Sequence, residues 1–123
     1  MSMRTPRILV VDDSDTDLTL MSAPLRASGY HVITARDGEE ALTKVASERP
    51  QCIVLDVVLP KQNGFQICRQ LKQSEQTQHI PIIMVSIKNT PVDKRWGLQQ
   101  GADIYLAKPF QPNELLDSVR RVL

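Results

Sequence analysis

Short, strongly apolar runs alternate along this chain with longer segments of helical period. Five of these runs are predicted as strands, at residues 7–11, 31–35, 52–55, 82–86 and 104–107. The helices predicted after them lie at about residues 15–28, 38–48, 64–74, 91–100 and 112–122. An alternation of this kind is typical of a parallel α/β sheet.

The composition of the runs predicts where each strand lies in the sheet. The first, third and fourth runs are nearly continuous Val, Ile, Leu and Met, as expected for central strands covered on both faces. Residues 31–35 are more polar and suit an edge strand. Five βα units with right-handed crossovers predict one domain over residues 1–123, a doubly wound parallel sheet in a three-layer sandwich.

Charge and cysteine content narrow the function classes. The net charge of +1 gives no electrostatic footprint for nucleic acid or an anionic membrane. No apolar stretch approaches the roughly 20 residues that span a bilayer. Cys52 and Cys68 form no CxxC pair, and we expect buried thiols in a cytoplasmic protein without membrane contact.

Three acidic residues stand directly after two of the apolar runs. Asp12 and Asp13 follow the first run, and Asp56 follows the third. A carboxylate at the end of a buried strand is costly unless a cation or hydrogen bonds compensate it. The grouping therefore favours a divalent metal, with Lys108 after the fifth run as a further counter-charge.

The carboxyl ends of the strands in an open parallel sheet meet at one edge, where ligands bind. Asp12, Asp13, Asp56, Ser86 and Lys108 all fall at such ends. Hard oxygen ligands suit Mg²⁺, which keeps waters that a phosphate can replace. A carboxylate could then attack phosphorus while Ser86 and Lys108 bind phosphoryl oxygens.

Each of these signals also has a simpler interpretation when it is taken alone. Asp12 and Asp13 could cap a helix, Asp56 could be a turn residue at a strand end, and Lys108-Pro109 could be a surface turn. Their joint occurrence at the appropriate ends of the appropriate strands favours a common site.

From Arg7 to Leu123 the chain resembles the receiver domain of two-component response regulators, the CheY-like family. The matching motifs are Ile8-Leu9-Val10-Val11-Asp12-Asp13-Ser14, Val54-Leu55-Asp56-Val57-Val58-Leu59-Pro60, Asn63-Gly64-Phe65, Ile80-Pro81-Ile82-Ile83-Met84-Val85-Ser86, Gly101-Ala102-Asp103 and Lys108-Pro109-Phe110. The resemblance implies the flavodoxin-like strand order 2-1-3-4-5, for which CheY is itself a standard example.

The resemblance also implies roles for individual acidic residues. Asp56 matches the phosphoacceptor, which takes its phosphoryl group from a histidine kinase. Asp13 and Asp56 match the direct Mg²⁺ ligands, with the backbone carbonyl of Val58 as a third ligand and Asp12 acting through water.

Three further positions match the residues that detect the phosphoryl group. Lys108 matches the lysine that reaches the phosphoryl oxygens, and the Lys108-Pro109 bond matches a cis peptide. Ser86 matches the switch hydroxyl, and Tyr105 matches the aromatic residue whose rotamer follows the state of that hydroxyl.

Two positions that set the lifetime of the phosphoryl group in this family are filled unusually. Val58 stands two residues after the acceptor and Lys88 two residues after the switch serine, and neither side chain can orient an attacking water as an acceptor. We expect slow spontaneous loss of phosphate.

The surface formed by the fourth helix, fifth strand and fifth helix is the predicted partner surface, with Tyr105 and Trp96 in it. Trp96 could instead pack on the core, and Leu98 is predicted to do so. Residues 93–102 resemble the PilH-type stand-alone regulators of type IV pilus motility and pilus-driven phototaxis.

The sequence thus favours a stand-alone response regulator without an output domain, a monomer or weak dimer. Its expected partners are a CheA-like histidine kinase and a protein target such as a pilus motor component. It would catalyse only its own phosphorylation and dephosphorylation. One alternative is a Mg²⁺-dependent phosphatase of the haloacid-dehalogenase kind, whose motif Asp13-Ser14-Asp15 imitates. Another is a docking module that takes no phosphate.

Overall fold

The computed structural model describes residues 5–123, which form strands and helices in strict alternation. The strands are β1 (Arg7–Val11), β2 (His31–Ala35), β3 (Cys52–Asp56), β4 (Ile82–Ser86) and β5 (Ile104–Ala107). The helices are α1 (Asp15–Ala27), α2 (Gly38–Glu48), α3 (Gly64–Gln73), α4 (Pro91–Gln99) and α5 (Pro112–Val122). Each predicted element is present, and its ends lie within a residue of the predicted ones.

All neighbouring strands are parallel, and their order is β2-β1-β3-β4-β5. This confirms the flavodoxin-like order and the edge position of β2. Strand β3 is one residue longer than predicted, because Asp56 still pairs with Val85 of β4. The acidic residue therefore belongs to the sheet itself, and the sheet fixes its backbone.

Alternate residues of each strand point to opposite faces, and the core is accordingly divided in two. Leu9 and Val11 of β1 belong to the cluster beneath α2 and α3, whereas Ile8 and Val10 belong to the cluster beneath α1 and α5. Both clusters consist mostly of aliphatic side chains that are fully or nearly fully buried. This is the predicted three-layer arrangement.

The helices start near the carboxyl edge of the sheet, and side-chain caps fix several of their N-termini. The side chain of the residue before the helix accepts a hydrogen bond from the backbone N–H three residues on, and these caps are Ser14, Asp37, Asn63 and Thr90. The capped ends bring the positive ends of the helix dipoles to the edge where the carboxylates stand.

The two thiols are buried and unpaired, as the sequence predicts. Burial raises the pKa of Cys52 to about 12 and that of Cys68 to about 11, so both stay protonated and unreactive near neutral pH. Between residues 5 and 123, the helices are all too short or too polar to cross a bilayer.

Candidate functional site

The carboxyl edge of the sheet gathers the predicted site residues. Asp12 follows β1 and is held by a hydrogen bond from its N–H to the Ala35 carbonyl, at 3.0 Å. Asp56 and Ser86 are the last residues of β3 and β4. Lys108 follows β5, and its N–H donates to the Ser86 carbonyl at 2.9 Å.

The three predicted acids form one cluster. One carboxylate oxygen from each of Asp12, Asp13 and Asp56 lies within 4.8 Å of the others. Asp12 and Asp56 are buried, whereas Asp13 is exposed. Two buried carboxylates and one that solvent reaches form an all-oxygen donor set, which is the chemistry that Mg²⁺ requires.

The Lys108 ammonium is surrounded by carboxylates. Its Nζ lies 2.7 Å from Asp12 Oδ2, 3.0 Å from Asp17 Oδ2 and 3.3 Å from Asp56 Oδ2. Burial by itself would lower the pKa of Lys108, but the hydrogen bonds to Asp12 and Asp17 and the charge of Asp56 outweigh it and raise the pKa. The lysine is therefore a permanent cation, and the Lys108-Pro109 bond that precedes Phe110 is cis, as predicted.

Asp56 has an unusually high proton affinity. Burial is the largest cause and the charge of Asp12 adds to it, while Lys108 and the Val58 N–H oppose it, and the pKa of Asp56 rises from 3.8 to about 6. At neutral pH the group is still mostly ionised. A carboxylate with this pKa is a stronger nucleophile than an ordinary aspartate.

Asp17 is a site residue that the sequence analysis missed. It lies in the first turn of α1, where Ser14 Oγ accepts its N–H at 3.3 Å, and its carboxylate reaches Lys108. The available signal was its place in the turn after Asp12 and Asp13, since a capped helix leaving β1 directs that turn to the same edge. Its acidic character by itself suggests only a favourable interaction with the helix dipole.

A short hydrogen-bonded path joins Ser86 to Tyr105 through one residue. The Lys88 N–H donates to Ser86 Oγ at 3.0 Å, and the Tyr105 hydroxyl donates to the Lys88 carbonyl. Ser86 is fully buried, while Tyr105 is partly buried against the cluster beneath α2 and α3. The two predicted switch residues are thus connected, although they lie on different strands.

The other predicted surface residues lie around this group. Val58 is exposed beside Asp56, and its N–H donates to Asp56 Oδ1 at 3.2 Å. Trp96 is half exposed and borders a groove with Arg69 and Gln73 of α3, whereas the ring of Tyr105 lies against Gly97. The prediction that Leu98 is a core residue is wrong, because its side chain is half exposed on the short helix α4.

Gly64 sets the close approach of α3 to the loop after β3. A Cβ atom there would lie 2.3 Å from the Asp56 carbonyl oxygen and 2.8 Å from the Val57 Cα, while the Gly64 N–H donates to the Val57 carbonyl at 2.8 Å. The first position of α3 therefore has no room for a side chain.

We expect Gly64→Ala to lower the free energy of unfolding by about 1–3 kcal/mol, because the backbone that carries Asp56 would have to move. A urea titration measures the loss. Gly38→Ala at the same position of α2 is the matched control, since its Cβ would meet only side-chain atoms of Ile67 and Gln62. Equal losses in the two variants would contradict a specific backbone contact at Gly64.

Comparison with known proteins gives relatives over nearly the whole chain. PhoP of Bacillus subtilis, an alkaline phosphatase synthesis transcriptional regulatory protein, is 50% identical over 117 residues, which are 95% of this chain and 48% of PhoP. The chain thus spans about half the length of that relative. Protein PilH of Pseudomonas aeruginosa is 40% identical over 95% of this chain and 97% of PilH.

The fold is also that of a solved regulator. The chemotaxis response regulator CheY4 of Vibrio cholerae superimposes with a TM-score of 0.91 at 37% identity, covering 98% of this chain and all of CheY4. CheY-like relatives and the PilH relationship are those that the sequence motifs implied.

The match to a known family covers residues 8–120, from the first strand into the last helix. This range includes the acid cluster, Ser86, Tyr105 and Lys108. Through it, the chain belongs to the response regulator receiver domain family.

Proposed function

We propose that this protein is a signalling switch that accepts a phosphoryl group on Asp56 from a histidine kinase. The observation that carries the proposal is the cluster of Asp12, Asp13 and Asp56, of which Asp13 is exposed, with Lys108 within hydrogen-bond distance of the Asp56 carboxylate. A receiver domain is a signalling module rather than a conventional enzyme, so the chemistry serves only its own modification.

In the proposed transfer, one Asp56 carboxylate oxygen attacks the phosphorus of a kinase phosphohistidine. The new P–O bond forms as the P–N bond breaks, and the imidazole leaves and takes up a proton. Asp56 must be ionised to attack, which its pKa of about 6 permits at neutral pH. The sheet holds its backbone, so the nucleophile needs little reorganisation.

The acid cluster fits Mg²⁺, and we assign Asp13, Asp56 and the Val58 carbonyl as its direct ligands, with Asp12 acting through water. The ion would neutralise negative charge as the phosphoryl group approaches the carboxylates. An all-oxygen cluster with an exposed member supports this assignment.

Lys108 and Ser86 are the proposed sensors of the bound phosphoryl group. The Lys108 ammonium already lies 3.3 Å from the acceptor oxygen and can pair with a phosphoryl oxygen without a large movement. The Ser86 hydroxyl accepts from Lys88 and keeps its own proton for the phosphoryl group. A shift of Ser86 would then reach Tyr105 through Lys88.

For the biological role, we propose a stand-alone cytoplasmic regulator, a monomer or weak dimer, with a CheA-like kinase as donor. Its target would be a protein, such as a pilus motor component, that binds the surface around Tyr105 and Trp96. Similarity to PilH along nearly all of that protein supports the motility role. Buried, unpaired thiols fit a reducing compartment.

The identity to PhoP favours a second candidate, in which the same switch controls transcription. A strain carrying Asp56→Asn distinguishes the two. Loss of surface motility with few changes in transcripts supports the motility role, whereas broad changes in transcripts with normal motility support the transcriptional one.

The phosphorylation proposal is tested with acetyl phosphate as a small phosphodonor. With Mg²⁺, we expect intact mass spectrometry to show one added phosphoryl group on the native chain and none on Asp56→Asn. Asp103→Asn, at the opposite edge of the sheet, should behave as the native chain does. An unmodified native chain would point to the docking module instead.

We also predict that the phosphoryl group is lost slowly. Val58 is apolar and exposed beside Asp56, and the Lys88 side chain is a cation, so neither orients a water for attack. The half-life measured by mass after removal of the donor should exceed a minute, and Val58→Asn should shorten it several-fold. A native half-life below a minute would contradict this.

A further inference from the structure

Helix α4 has an unusual contact with the core. Gly97 is its only buried residue, and the helix exposes Val92, Trp96 and Leu98. A glycine in a helix interior is an unfavourable choice compared with alanine. Its presence at the one buried position of α4 calls for a steric reason.

The reason is the ring of Tyr105. A Cβ atom on Gly97 would lie 2.6 Å from Tyr105 Cδ2 and 2.8 Å from Cε2, and 2.9 Å from Met84 Sδ. Met84 pairs with Tyr105 across the β4–β5 ladder and is fully buried. The tyrosine ring therefore lies in a space between β4 and α4, and the backbone of Gly97 forms the outer side of this space.

A single methyl group at position 97 would leave no room for the ring in this space. Met84 is enclosed by the core and has little room to retreat, whereas Tyr105 is partly exposed and can rotate outward. The outward ring would lose the hydrogen bond from its hydroxyl to the Lys88 carbonyl. It would also lose its connection to Ser86, because the Lys88 N–H donates a hydrogen bond to the Ser86 hydroxyl.

We propose that Gly97 is a positioning residue of the switch, whose missing side chain allows Tyr105 to take its inward position and follow the state of Ser86. The steric half of this proposal stands on the contacts alone. The half that concerns signalling rests on the proposed function, since it requires that phosphorylation of Asp56 move Tyr105.

Thermal unfolding tests the steric half of the proposal, because the change in melting temperature caused by Gly97→Ala should have opposite signs in the presence and absence of the Tyr105 ring. Gly97→Ala should lower the melting temperature in the native background, because the new methyl group displaces the ring. In the Tyr105→Ala background the same substitution should raise it, because the space left by the ring lets Met84 Sδ move away from the new methyl group and the helix preference for alanine then decides the sign. Leu98→Ala, on the exposed side of α4, should have the same effect in both backgrounds. A rise in the native background would overturn the proposal.

Fluorine NMR of the 3-fluorotyrosine-labelled protein tests the signalling half. The chain has two tyrosines, and Tyr30, which packs on the opposite side of the sheet, is the internal reference. With Mg²⁺ and beryllium fluoride, a mimic of the phosphoryl group, the Tyr105 resonance should shift in the native protein. In Gly97→Ala it should be accessible to a soluble relaxation agent from the start and should not shift, while phosphorylation of Asp56 by acetyl phosphate persists.

The outcomes separate the two proposals. If the native Tyr105 resonance does not respond to beryllium fluoride, the proposed coupling of Asp56 to Tyr105 is wrong, and the steric role of Gly97 is still judged by the melting temperatures. If the native resonance responds and Gly97→Ala responds equally, the inference about Gly97 is overturned while the switch function stands.

Discussion

Lys108→Met should lower the free energy of unfolding by about 3–5 kcal/mol at pH 7 in metal-free buffer. The Nζ of Lys108 lies within 3.3 Å of carboxylates from Asp12, Asp17 and Asp56, and its side chain is only 13% exposed. Methionine keeps most of the apolar stem but removes the cation. Two buried carboxylates would then repel each other without compensation.

The loss should depend on pH with a defined sign. The pKa of Lys108 is raised in the folded protein, so its contribution to stability is complete at neutral pH and is lost only in strongly alkaline solution. In the acidic range the deficit of the variant should shrink, because carboxylates that become protonated no longer need a counter-charge. Mg²⁺ should restore stability for the same reason. Urea titrations at pH 7 and pH 4, with EDTA or Mg²⁺, measure all of these differences.

Lys72→Met is the matched control. This ammonium is also largely buried, but it donates to the backbone carbonyls of Ile80 and Gln78 and pairs with Asp103, far from the acid cluster. Its loss should cost stability without any rescue by Mg²⁺. If Lys108→Met showed the same small loss at both pH values and no response to Mg²⁺, Lys108 would not be the counter-charge of the site.

Asp56→Asn should raise the free energy of unfolding by about 1–3 kcal/mol at pH 7 without metal. Burial and the charge of Asp12 raise the pKa of Asp56 from 3.8 to about 6. A shift of that size corresponds to a penalty of at most about 3 kcal/mol for the ionised group in the folded state. The penalty is absent below the unfolded pKa, grows between about pH 4 and pH 6, and is complete above that range.

The gain in the free energy of unfolding from Asp56→Asn should therefore vanish in acid. Mg²⁺ should stabilise the native chain more than the variant. Asp103→Asn is the control for a general effect of removing a negative charge. Asp103 accepts a hydrogen bond from the Ile82 N–H at 2.8 Å and so stabilises the fold. That variant should be neutral or less stable. A loss of stability in Asp56→Asn at neutral pH would show that the ionised Asp56 carboxylate stabilises the fold, and it would contradict the expectation that the burial of this charge costs stability.

The sequence pattern predicts the strands and the residues that stand at their carboxyl ends. Continuous Val, Ile and Leu runs mark buried parallel strands, and the parallel arrangement requires that residues after those runs meet at one edge. The positions of the runs therefore predict that Asp12, Asp56, Ser86 and Lys108 lie together at that edge. The strand order came from the family resemblance, because periodicity does not determine which strands are neighbours.

What the sequence did not reveal depends on contacts between elements. The contact of Asp17 with Lys108 depends on the direction of the first turn of α1. The space that the Tyr105 ring fills depends on the distance between α4 and β5. The prediction that Leu98 is a core residue is wrong because apolar character alone does not determine burial, and α4 buries only its glycine. Gly97 gave no sequence signal beyond being an unfavourable residue in a helix.

The most direct test of the central claim is to identify the carboxylate that reacts. After incubation with acetyl phosphate and Mg²⁺, borohydride reduces an aspartyl phosphate to homoserine, and peptide mapping locates the product. We predict homoserine at position 56 and at neither Asp12 nor Asp13, because the Asp56 carboxylate, whose pKa is raised to about 6, lies 3.3 Å from Lys108 Nζ on a backbone that the sheet fixes. Homoserine at position 12 or 13, or a phosphoryl group on a residue outside the cluster, would contradict the assignment of Asp56 as the phosphoacceptor.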